Sequence, residues 1–61
     1  MTLEQRWDAL KADLIKRIDE DVPVHEAFAK AGDLTTAGPL GGLLSANRAT
    51  LAKMRELEAA R

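Results

Sequence analysis

Cysteine is absent, which removes disulfides, thiolate metal sites and thiol chemistry together. A single histidine, His25, does not make a structural zinc site without further ligands. Only Trp7 and Phe28 are aromatic, so a large hydrophobic core has to be assembled from aliphatic side chains. No stretch approaches the roughly 20 apolar residues of a membrane span. Charges arrive at once after Met1, without the apolar run of a signal peptide. The expectation is a cytoplasmic protein with no membrane partner. Nothing alternates over more than four residues, which argues against strands.

With 61 residues, the chain has room for one domain, residues 1–61, and a thin core. A chain this short buries only about 60% of the surface its unfolded form exposes. The net charge of -1 lacks the basic excess that accompanies nucleic-acid binding. Its distribution says more than its sum. Residues 1–33 carry eight acids and five bases, giving -3, whereas residues 34–61 carry two acids and four bases, giving +2. That asymmetry suits antiparallel packing of the two halves, within a chain or between copies, screened over about 8 to 10 Å in physiological salt.

Thr2 with Gln5 three residues later reads as a capping box that starts a helix near Leu3. Leu3, Trp7, Leu10, Leu14, Ile18 and Val22 then recur every three or four residues, giving one apolar stripe that Ile15 widens. Asp13 and Arg17 have the favourable spacing of four on the polar side. Pro23 disfavours helical geometry at Val22 and suits a first helical position, so the sequence predicts a break there. A short helix over about Pro23 to Ala31 follows, with Gly32 as its stop. Asp33 to Gly38 is expected to be a loop anchored by Leu34, with Thr36 or Gly38 capping the last helix.

That last helix is expected from about Pro39 toward Leu57. Its first turns belong to a run, Leu34 to Asn47, without any charge in a chain that is 31% charged. Leu40, Leu44, Leu51 and Met54 form its seam, with Asn47 and Glu58 in the two gaps; a polar residue at such a place fixes register or lies just outside the buried strip. On the other side Gly41, Ser45, Ala49 and Ala52 carry neither charge nor bulk, although each glycine inside a helix costs about 1 kcal/mol relative to alanine. Both sides of the helix are therefore expected to meet protein. Lys53, Arg55 and Arg61 complement the dipole at its C-terminus.

No constellation of residues carries chemistry. His25 lies near Asp21 and Glu26, but no nucleophile accompanies it at matching spacing. Asp19, Glu20 and Asp21 lack the alternating ligands and central glycine of a calcium loop. Gly38, Gly41 and Gly42 follow no strand and precede no Lys-Ser or Lys-Thr pair, so they make no phosphate loop. No enzyme, metal, cofactor or small-molecule substrate is expected. The reading is an all-α domain, long helix, short helix, long helix, assembled as a dimeric bundle. It acts as an interaction module such as an adaptor, inhibitor or accessory subunit, with itself or a larger protein as partner. The expected interface residues are Trp7, Leu40, Gly41, Leu44, Ser45, Asn47, Ala49, Leu51 and Met54. The alternative is a small helix-turn-helix DNA-binding regulator, in which Gly32 marks the turn. Its recognition helix would open on Ala37, Gly38, Pro39 and Leu40, which offer bases nothing to bond.

Overall fold

The computed structural model describes residues 1–60 and consists of two helices, α1 (Leu3–Lys30) and α2 (Leu34–Ala59), packed antiparallel as a hairpin. Arg61 lies outside the described residues. The capping box at the start of α1 is formed: Gln5 N donates to Thr2 Oγ1 at 3.1 Å, and Thr2 N donates to Gln5 Oε1 at 2.9 Å. Two backbone donors at the helix start are thereby satisfied.

The expected break at Pro23 does not occur, and the separate short helix is not present. Residues 23–30 continue α1. An interior proline removes one helical hydrogen bond and crowds the carbonyl four residues back, here that of Asp19. Both Pro23 and Asp19 face solvent, where water can take up the carbonyl. Meanwhile Val22 packs against the core cluster and His25 is half-buried over α2. Only helical geometry through Pro23 keeps both on the seam, so tertiary packing outweighs the local preference. Pro39 lies inside α2 in the same way, also facing solvent.

Gly32 ends α1 as the sequence requires. Its φ is +75°, the left-handed geometry in which a side chain is strained. Gly32 N donates to Ala29 O at 3.1 Å and Asp33 N to Phe28 O at 3.0 Å, the paired bonds of a Schellman turn. The next cap differs from expectation. Asp33, not Thr36 or Gly38, opens α2: Thr36 N donates to Asp33 Oδ1 at 3.1 Å and Thr36 Oγ1 to Oδ2 at 2.8 Å. Aspartate is among the strongest N-caps, and its charge suits the positive end of the dipole. One residue thus closes α1 and starts α2. The earlier start leaves Leu34 at the first helical position, 74% exposed, so it is no core anchor.

The core is a single seam. Ile18 on α1 meets Leu44 and Leu51 on α2, with Leu14, Ile15 and Val22 packed around them; Ala37 and Met54 are also buried. Every large residue of the expected α2 seam is buried or half-buried. The α1 stripe is covered only in part. Leu3 is 84% and Leu10 60% exposed, because the stripe is wider than one neighbouring helix can cover. No described helix is long and apolar enough to cross a membrane.

Candidate interaction surface

The residues expected at an interface divide into three groups. Leu44, Leu51 and Met54 are buried within the hairpin, and Leu40 and Asn47 sit half-buried at its edges. Ser45 and Ala49 are exposed. Gly41 and Trp7 have specific partners inside the chain.

Trp7 closes the open end of the hairpin. Its indole Nε1 donates to Glu58 Oε2 at 2.9 Å, and Lys11 Nζ donates to Glu58 Oε1 at 2.6 Å. This explains a carboxylate in an otherwise apolar seam: Glu58 takes an indole proton on one oxygen and an ammonium on the other. The charged pair is about one quarter exposed, enough to limit desolvation and little enough to limit screening. Sequence spacing gave Glu58 a seam position but no partner, since Trp7 is 51 residues away.

Toward the loop, His25 lies across Gly41. A methyl group on Gly41 would meet His25 Nε2 at 2.9 Å, shorter than real side-chain contacts, so the glycine is the seat of the imidazole. Around it an open groove of about 430 Å³ is lined by Val22, His25, Glu26, Gly41, Leu44, Ser45 and Arg48. His25, Ser45 and Arg48 are its polar donors and Glu26 its acid. His25 and Ser45 line the same groove without a hydrogen bond between them. No group of three or more acids and histidines close enough for a metal occurs among the described residues.

The remaining feature is exposed bulk. Leu3, Leu10, Val24, Phe28, Leu34, Leu43 and Leu57 are each at least one third exposed. Single apolar residues at a surface are ordinary, whereas a contiguous set marks an interaction site. No family model, curated protein or solved structure matches this chain.

Proposed function

We propose that this protein is a non-enzymatic helical interaction module that works by self-association, two hairpins forming one four-helix bundle. The observation that carries this reading is the amount of surface. The chain exposes 4623 Å², where the scaling of surface with mass gives about 3,900 Å² for a globular monomer of this size. Its backbone extends over 44 × 22 × 13 Å with a radius of gyration of 14.2 Å, against about 10.5 Å for a compact chain of this length. One layer of two helices leaves the outer side of each without a neighbour, and stable domains pack at least two layers. The excess of about 700 Å² matches the roughly 800 Å² per partner of a standard interface.

A small helix-turn-helix regulator, the second reading, has less support: the residues it assigns to a first helix are the last turns of α1, and the following helix folds back along them. Static light scattering after size exclusion at micromolar concentration tests the proposal. A dimer is expected, with a melting temperature that rises with protein concentration. A monomer whose cooperative melt is independent of concentration would overturn it.

A further inference from the structure

The exposed apolar side chains are not scattered. At about 100° per residue, Leu3, Leu10, Val24 and Phe28 fall on one rotational side of α1's buried seam, viewed from its N-terminus. Leu43 and Leu57 fall on the same rotational side of α2's seam. In an antiparallel pair the same rotational side of both helices is one face of the hairpin. The groove checks this geometry: Glu26 on α1 and Gly41, Ser45 and Arg48 on α2 lie on the opposite rotational side, and they line one cavity. The hairpin therefore has one face that carries the exposed leucines, crossed on α1 by Arg6, Asp21 and the Asp13–Arg17 ion pair and on α2 by Lys53, and an opposite face of small and charged residues without exposed leucine beyond the first turn of α2. Leu34, at the first position of α2, is the one exposed helical leucine outside the leucine face.

The register is set by the contacts of Trp7 with Glu58 and of His25 with Gly41. It places Leu10 level with Leu57 and Val24 level with Leu43. Two leucine faces can meet about a twofold axis in two ways. With the axis along the helices, α1 lies over α2 of the second copy; with the axis across them, α1 lies over α1. The charges on the leucine side itself tell the two apart: the first sets Asp13 level with Lys53 of the second copy, and the second sets Arg17 over Arg17 and Asp13 over Asp21. Like charges facing across an interface oppose association.

Resting on the self-association reading, we propose that the leucine face is the dimer interface and that the twofold axis runs along the helices. Leu10 then packs level with Leu57 of the second copy, and Val24 with its Leu43, in layers of four apolar side chains. The small row of Ser45 and Ala49 stays at the solvent side of the bundle.

Sedimentation equilibrium of the full chain and two variants tests the face. Leu10→Glu with Leu57→Glu is expected to be monomeric at concentrations where the parent is fully dimeric, and Ser45→Glu is expected to remain dimeric. Both leucines are at least half exposed in the single hairpin, so the hairpin itself tolerates the charge. Dissociation by Ser45→Glu, with the double variant still dimeric, would overturn the leucine face and leave self-association standing. A monomeric parent would overturn both. Because the chain has no cysteine, single introduced thiols test the axis without disturbing the fold. Mixed Leu10→Cys and Leu57→Cys chains should be joined by a short bismaleimide, whereas Leu10→Cys and Val24→Cys chains should not. The reverse result would overturn the proposed axis.

Discussion

The two ends of the hairpin are closed by different means. At the loop end the contacts are local: Gly32 and Asp33 donate to carbonyls three and five residues back, and Thr36 bonds Asp33 three residues away. At the open end they are distant, with Trp7 and Lys11 converging on Glu58 across 51 and 47 residues. The loop end can form as soon as its own residues adopt their dihedral angles. The open end exists only after the seam has brought the helices together. Between them lies the cluster of Ile18, Leu44 and Leu51, which holds the two helices together.

The largest expected effect comes from removing that support. Leu51 is 9% exposed, and Leu51→Ala should cost about 2 to 5 kcal/mol, a large part of the stability of any small domain. Loss of the cooperative helical melt by circular dichroism checks it. If the loop end still protects its amides from hydrogen exchange in this variant, the local closure is autonomous; if protection vanishes throughout, the ends are one cooperative unit.

Pro23→Ala acts in the opposite direction and should rank second. An interior proline costs about 3 kcal/mol relative to alanine, and the residue faces solvent within a continuous helix. Alanine restores the donor to the Asp19 carbonyl at no loss of packing. The melting midpoint in urea should rise, with a gain of about 1 to 3 kcal/mol. No rise would mean that the helix pays nothing for the proline, and that the continuity of α1 needs a different account.

Trp7→Phe isolates the open end. It keeps an aromatic ring in the seam and deletes the donor to Glu58, a hydrogen bond to a charged acceptor at a half-exposed place. The cost should be about 1 kcal/mol. Hydrogen exchange should rise in the first turns of α1 and the last turns of α2 and stay unchanged near Gly32. A uniform rise would erase the distinction between the two ends.

Legibility in the sequence follows the same division. Thr2, Gln5 and Gly32 act through neighbours within a few residues, and each does what its spacing implies. Leu44, Leu51 and Met54 were readable because a heptad-like spacing defines a helix face without naming what covers it. Pro23 is deceptive because its local preference for a helix start is outweighed by the packing of Val22 and His25 around it, which neighbouring residues do not reveal. Asp33 is less deceptive: it is a strong cap placed three residues before Thr36 and five before Gly38, and the run of small and turn-forming residues after it resembles a loop. Leu3 and Leu10 share a stripe with Ile18, but a helical wheel does not say which sector of a broad stripe the neighbour takes. Glu58 was invisible as a clasp because its partners are chosen by the fold. The candidate surface shows the same limit: the uncharged row of α2 was conspicuous as sequence, while the leucine face is assembled from both helices and appears only once they are side by side.

The smallest effects come from two adjacent glycines near the loop end. Gly42 is exposed, and a methyl group there meets nothing within 4 Å, so Gly42→Ala should stabilise by about 1 kcal/mol through helix propensity alone. Gly41→Ala gains the same propensity but meets the imidazole of His25 at 2.9 Å. The ring is the far end of a rotatable side chain, so it swings aside and forfeits its contact with α2. The gain at Gly41 should therefore fall short of that at Gly42, and in a His25→Ala background the two should become equal. Urea melts of the four variants form a double-mutant cycle whose coupling measures what the His25 seat contributes. A coupling of zero would mean that Gly41 is small for a reason unrelated to His25, and would leave the loop end held by Gly32 and Asp33 alone.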